Sequence, residues 1–205
     1  MHPNPIFRED DQARALVTAR ERGFGVLTAP GPDGVLASHL PFVLEAATVA
    51  AHLSRGGALA RHLRRGPAEA LLIVSGPDAY VSPDWYGADD QVPTWNYVAV
   101  HLRGPVRLLP DEALRPHLER LSAVHEARLA KRPWTMDKMT PGLPERMMRQ
   151  IVPIEMTVAS IDATFKLNQN KPAAVRLAAA DAVEGAGYGH EPGALAALMR
   201  APQQH

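Results

Sequence analysis

Apolar residues recur along the chain in two rhythms, and the change between them comes early. Ala13, Leu16 and Val17 share one side of a 3.6-residue period, and Asp10 or Asp11 stands where a carboxylate would cap the first free amides. The spacing predicts an amphipathic helix ending near Gly23. From Gly23 the period shortens to two. Phe24 to Ala29 and Val35 to Leu44 read as strands, and Pro30-Gly31-Pro32-Asp33-Gly34 between them suits a hairpin loop. Thr48 to Leu53, Ala70 to Val74 and Ala79 to Ser82 follow as strands three to five, the last two parted by Gly76-Pro77-Asp78. A Gly56-Gly57 break precedes a short basic helix through Ala58, Leu59, His62 and Leu63. Trp95 to Val100 alternates and continues past Gly104-Pro105 into Val106 to Leu109, as a sixth strand bent at the glycine. Leu114, Leu118, Leu121, Val124 and Leu129 keep helical spacing over Asp111 to Lys131, the longest predicted helix, with Pro116 delaying its start by a turn. Ile151 to Val158 is the last predicted strand, and an alanine-rich helical tail follows Pro172.

Six or seven strands with helices at the front, middle and end predict an α+β domain on an antiparallel sheet over residues 1–172, then a helical tail over 173–205. A closed barrel is the economical form because it removes sheet edges. Neither G-x-G-x-x-G nor G-x-x-x-x-G-K-[ST] occurs, which excludes Rossmann and P-loop readings. The chain has no cysteine, so disulfide scaffolds, thiolate metal sites and cysteine nucleophiles are excluded as well. Nineteen prolines in 205 residues are expected to keep most segments short. Apolar runs such as Ala70 to Val74 fall far below the ~18 residues of a membrane span, and charges interrupt the first twenty-two residues where a signal peptide needs an apolar core. A soluble, cytoplasmic protein without a membrane partner is expected.

Candidate chemistry gathers in three places. Tyr80, Trp85, Tyr86, Trp95 and Tyr97 put five of eleven aromatics into eighteen residues, beside Thr94, Asn96 and His101. Rings with polar neighbours suit a flat heteroaromatic ligand, although composition alone favours Trp85 and Trp95 as fillers of the core beneath a long loop. Lys166, Asn168, Gln169, Asn170 and Lys171 hold two of only four lysines, with three amides, at a strand end where a phosphate could be held; a solvated turn is the plain alternative. Ser38, His39, His52, Ser54 and Arg55 place polar side chains inside apolar strands, with Ser38 and Leu40 on one face and His39 and Pro41 on the other. The histidines form no metal-binding spacing, so no metal is expected. Arg61, Arg64 and Arg65 are the one basic run to weigh against DNA, but 22 basic residues balance 22 acidic ones, and arginine is abundant along the whole chain.

Taken together, Tyr80 to Tyr86, Val92-Pro93-Thr94-Trp95-Asn96-Tyr97-Val98-Ala99-Val100-His101 and Lys166 to Pro172 resemble the PaiB family, FMN-binding negative transcriptional regulators. The resemblance implies an FMN-binding split barrel, related in fold to pyridoxamine-phosphate oxidases and flavin reductases, and a homodimer with flavin near the subunit interface. It implies cofactor contacts from Ser38, His39, His52, Ser54 and Arg55 on one side, from Thr94, Trp95 and Asn96 at the ring, and from Lys166, Gln169, Asn170 and Lys171 as polar anchors. Asn168 stands where the family has a serine, and Gly56-Gly57-Ala58-Leu59 replaces the asparagine-proline and tryptophan expected after His52-Leu53-Ser54-Arg55. Three functions fit the residues: a flavin-linked regulator, an FMN-dependent oxidoreductase or flavin reductase, and a flavin-binding scaffold. His39, His52 and His101 are the candidate proton donors for the second, and no catalytic residue is assigned. The family name carries the regulator and its DNA partner, against which the neutral charge and the lack of a helix-turn-helix pattern count.

Overall fold

The structure, a computed structural model, describes residues 1–202. In chain order its elements are β1 (Arg8–Glu9), α1 (Gln12–Arg22), β2 (Phe24–Gly31), β3 (Gly34–Glu45), β4 (Thr48–Ser54), α2 (Ala58–Leu63), β5 (Ala68–Val81), β6 (Thr94–Leu108), α3 (Leu114–Glu126), α4 (Leu143–Met148), β7 (Ile151–Thr157), β8 (Ser160–Lys166), α5 (Ala173–Ala186), β9 (Gly189–His190) and α6 (Pro192–Arg200). They form two compact units. The first comprises Met1–Thr18, Ser75–Val100 and the chain from Asp162 onward; the second comprises Ala19–Val74 and His101–Ile161.

The second unit is built on antiparallel strands in the order β6-β7-β4-β3-β2-β5, and β5 also pairs with β6, which closes the ring. The hairpin of β2 and β3 runs from Phe24↔Pro41 to Gly31↔Gly34, as the loop chemistry of Pro30 to Gly34 predicted. β4 pairs with β3 through Phe42↔Ala51 and with β7 through His52↔Pro153. Alternate residues turn inward, so Leu27, Leu40, Phe42, Leu53, Leu72, Leu102 and Ile154 are buried. Burying each such side chain contributes about 1.5–3 kcal/mol. Helices α2 and α3 cover strands β3 and β4 with Leu59, Leu63, Leu114 and Leu121.

In the first unit β1 pairs with β8 through Arg8↔Thr164, and β9 pairs with β5 through Asp78↔His190. Buried Glu9 meets Arg14 at 2.7 Å, and that guanidinium lies 4.4 Å over the ring of Phe165. Helices α5 and α6 bury Ala179, Ala180, Val183, Leu195, Ala196 and Met199. The predicted tail is helical through both, and its last residues, 203–205, lie outside the described residues.

Several expectations need correction. The strands expected on either side of Gly76-Pro77-Asp78 are one strand, β5. Gly76 continues it because a Cβ there would lie 2.7 Å from the Val98 side chain: the glycine serves close strand contact, not a turn. Prolines 41, 77, 105 and 153 all lie inside strands, so proline does not keep the segments short; β5 and β6 have 14 and 15 residues. The buried face of α1 is Ala15 and Ala19, with Val17 44% exposed, because small side chains let the helix approach closely. The helix is capped by Asp11, whose Oδ1 accepts from the amides of Ala13 and Arg14. Helix α3 stops at Glu126, and α5, with 14 residues against 13, is longer. Strand β8 is an addition to the predicted strands, although Ser160 to Lys166 alternates polar and apolar residues as a strand does.

Helix α3 is held to the barrel by an imidazole pair. His117, 3% exposed, brings Nε2 to 3.2 Å from Nδ1 of His52 on β4. The two tautomers must be complementary, one nitrogen donating and the other accepting. Burial lowers the pKa of both rings, that of His117 to about 4, with His52 and Arg120 adding charge repulsion to the burial. At Gly104 the backbone passes so close to β7 that a Cβ would lie 1.9 Å from the carbonyl oxygen of Thr157.

Two outcomes are expected. Below pH 6.5 the unfolded chain binds protons that the buried pair refuses, so stability present above that pH is lost as pH falls toward 4. The loss from His117 is about 3 kcal/mol, and urea titrations across this range should show a clearly smaller loss in His117→Gln, which keeps a donor for His52. Gly104→Ala should lower unfolding free energy by more than about 2 kcal/mol, whereas Gly66→Ala, with open space around it, should cost clearly less in the same assay.

Candidate functional site

In the first unit, the start of β6 and the end of β8 bring a cation to an aromatic surface. The Lys166 ammonium donates to the carbonyl of Trp95 at 2.8 Å and to the hydroxyl of Thr94, and lies 5.9 Å from the ring of Phe7. Burial holds its pKa below the ordinary lysine value. Lys171 donates to the side-chain oxygen of Gln91 and sits 4.6 Å over the ring of Tyr86. Among the described residues neither ammonium is paired with a carboxylate. An ammonium without an acidic partner suits an anionic oxygen.

Trp95 is 44% exposed, so it does not fill the core; Tyr86, 2% exposed, does. The Trp95 ring centroid lies 6.3 Å from Tyr80 and 5.8 Å from Tyr188, and Tyr80 lies 6.2 Å from Trp85. The sequence reading missed Tyr188, which lies ninety-three positions beyond Trp95; its only local signal is a tyrosine between Gly187 and Gly189.

The neighbouring amides are mostly engaged internally. Gln169 accepts from the Leu167 amide and donates to the carbonyls of Ile6 and Phe165, which shapes the turn after β8. Asn168 takes the left-handed conformation at φ 60° and is buried, its Oδ1 3.5 Å from the Tyr86 hydroxyl and its Nδ2 without a partner. Asn170 is exposed. Asn96 is fully buried, with Nδ2 3.5 Å from the sulfur of Met199 on α6, so its side chain faces the C-terminal helix.

The other residues singled out from the sequence lie in the second unit. Ser38 is half-buried on the face of Leu40, and His39 is exposed, 6.5 Å from the ring of Phe24; the alternation is as expected. His52 is engaged with His117. Arg55 is a strut: its guanidinium spans both carboxylate oxygens of Asp111 and the carbonyls of Arg149 and Ile151, all at 2.9–3.0 Å. Ser54 is exposed, and its carbonyl accepts from the Gly57 amide. Of the basic run, Arg64 donates to the Arg55 carbonyl and Arg61 to that of Gly56. Arg61, His62 and Arg65 line a cleft of about 290 Å³ beside the Pro32–Leu36 stretch. The twelve residues predicted to bind cofactor thus divide between the units: Ser38, His39, His52, Ser54 and Arg55 in the second, and Thr94, Trp95, Asn96, Lys166, Gln169, Asn170 and Lys171 in the first. Exposed rings, cations without acidic partners and a buried unpartnered amide donor form a set that fits an anionic heteroaromatic group.

Comparison with known proteins agrees with that chemistry. Residues 1–160 match the protein family described as "Putative FMN-binding domain". The chain is 30% identical over 156 residues to the protease synthase and sporulation protein PAI 2 of Bacillus subtilis, covering 74% of each protein. An uncharacterized protein of Saccharomyces cerevisiae, YKL070W, is 32% identical over 107 residues, 46% of this chain and 63% of that one. Among solved structures, the FAD and heme binding protein from Mycobacterium smegmatis superposes with a TM-score of 0.57 at 14% identity, over 89% of this chain and 82% of its own. The conserved hypothetical protein Rv2991 from Mycobacterium tuberculosis gives 0.59 at 14% identity, over 84% and 94%. With the closed antiparallel ring and its flanking helices, these matches place the chain in the PaiB-type family of FMN-binding split-barrel proteins.

Proposed function

We propose that this chain is a flavin-linked negative regulator of the PaiB type, working in the cytoplasm as a homodimer, with FMN held by the residues that the fold leaves available. The observation that supports the cofactor contact is the pair of ammonium groups, Lys166 and Lys171, without carboxylate partners among the described residues and, at Lys166, bonded to the backbone of exposed Trp95. Lys166 and Lys171 would meet the phosphate, and Thr94 and Trp95 the ring. Gln169 and Asn96 act as positioning residues, since their amides are turned to other parts of the chain. In the second unit Ser38, His39 and Ser54 have no side-chain hydrogen bond to other described residues and remain candidate contacts by themselves, while His52 and Arg55 are engaged with His117 and Asp111. Bound FMN would supply a redox-active ring; the protein's part is to bind and orient it.

The homodimer is supported by apolar side chains on the β2–β3 hairpin, where Phe24 is 54% and Val35 76% exposed. Direct DNA contact is the weaker part of the regulator reading, because zero net charge leaves few phosphates to neutralise.

The first test is the absorbance spectrum of dialysed protein after addition of FMN, where retained flavin is expected. Losing a charge-assisted phosphate contact should cost about 1.5–3 kcal/mol, so Lys166→Ala should weaken FMN about ten- to a hundredfold while leaving riboflavin, which lacks the phosphate, unchanged. Equal loss of both ligands would mean that Lys166 only holds Thr94 and Trp95 in place. Light scattering should report twice 22.2 kDa, about 44 kDa, and a monomer mass would remove the dimer from the proposal.

A further inference from the structure

Beyond residue 160, where the family match ends, the chain adds a tyrosine whose setting is more constrained than its exposure requires. Helix α5 closes at Gly187, which takes φ 63° and donates its amide to the Val183 carbonyl at 3.2 Å. Gly189 takes φ 140° and lies against β5 so closely that a Cβ would be 2.2 Å from the Asp78 carbonyl oxygen. β9 then pairs with β5 through Ala79↔Gly189, and the amide of His190 donates to Oδ1 of Asp78 at 3.3 Å. Gly187, in the left-handed region that favours glycine, and Gly189, where a Cβ would collide with β5, therefore fix the one residue between them. That residue, Tyr188, is 61% exposed, yet its ring is 5.8 Å from Trp95 and 6.2 Å from Tyr80.

The three rings are inclined to one another by 52° to 70° and are not stacked in parallel. Such tilted contacts leave ring faces for a planar guest. Trp95, the most exposed of the three after Tyr188, is also tied through its backbone carbonyl to the Lys166 ammonium at 2.8 Å. A flat aromatic group joined to an anion satisfies both features, whereas a purely apolar partner would leave the cation unmet. We infer that Tyr188, carried by the C-terminal segment, is a ring-stacking residue of the flavin site, forming with Trp95 a wall against which the isoalloxazine ring packs. This rests on the FMN-binding reading above, and it gives the C-terminal segment a part in ligand binding that the matched region does not contain.

Dialysed full-length protein should be titrated with FMN and with riboflavin, following both the ligand's own fluorescence and its absorbance. Removing one stacking ring should weaken both ligands alike, by about tenfold, because the contact is to the ring and not to the phosphate. Tyr188→Ala is therefore expected to lose FMN and riboflavin affinity together and to relieve part of the quenching of bound flavin, while Tyr188→Phe keeps wild-type values. Should Tyr188→Ala fail to fold by circular dichroism, Tyr188→Leu retains bulk without a planar ring and is expected to show the same loss. Wild-type affinity for both flavins in Tyr188→Ala or Tyr188→Leu would overturn the stacking role while leaving the FMN-binding reading in place. A loss in Tyr188→Phe equal to that in Tyr188→Ala would also overturn it, in favour of the hydroxyl. If the wild-type protein itself takes up neither flavin, both readings fall.

Discussion

Pairing of β5 with β6 is the constraint on which the rest of the structure depends. It turns an open antiparallel sheet into a closed ring and leaves no hydrogen-bonding edge in the barrel. Such long strands can lie together only if their backbones approach closely where they bend or cross neighbours, and glycine supplies that approach. Gly76 lies against Val98, and Gly104 admits the Thr157 carbonyl where a side chain would collide with it. Both strands also run on beyond the barrel, so the segment that closes the ring is continuous with the segment that carries Tyr80 and Trp95.

The sequence showed most of the barrel well. β2, β4 and β6 were legible because one face of each strand packs inward and the pattern repeats every second residue, whereas β3 and β7, which each bury three residues in a row, were legible from their apolar, β-branched runs. Gly76-Pro77 carries the local chemistry of a turn, and only the neighbouring strand reveals that the glycine serves proximity instead. β9 is two residues long and leaves no periodic trace, whereas β8 does alternate from Ser160 to Lys166, with only Ile161, Ala163 and Phe165 as its apolar positions. In α1 the counted residues were the large ones, but alanines at positions 15 and 19 make the buried stripe. Hydrophobicity alone ranks Leu and Val above Ala, while a tight helix contact reverses the order.

Site residues were legible as residue types and not as roles. Arg55 and His52 carry the chemistry of ligand contacts, yet one braces Asp111 and two carbonyls and the other is paired with His117. Gln169 likewise spends its amide on the turn that presents Lys171. A single sequence cannot distinguish a guanidinium that meets a ligand from one that ties strand to loop, because both need the same donor geometry. Tyr188 shows the opposite failure, since its partners Tyr80 and Trp95 are about a hundred positions away and only the β9–β5 register brings them together.

Zero net charge is compatible with binding an anionic cofactor because the relevant field is local. Lys166 is partly withdrawn from water, and the same burial that lowers its pKa weakens the screening of its charge. An ammonium placed there and bonded, among the described residues, to a hydroxyl and a carbonyl is screened less by salt than an arginine on a solvated surface. Most of the chain's arginines with described partners are bound in that way to carboxylates or carbonyls, as at Arg14, Arg55, Arg107, Arg115 and Arg200. Neutrality overall is therefore compatible with two unpaired ammonium groups: among the described residues acids are placed beside the arginines that hold the fold, and none pairs with Lys166 or Lys171, which lie by the rings of Phe7 and Tyr86.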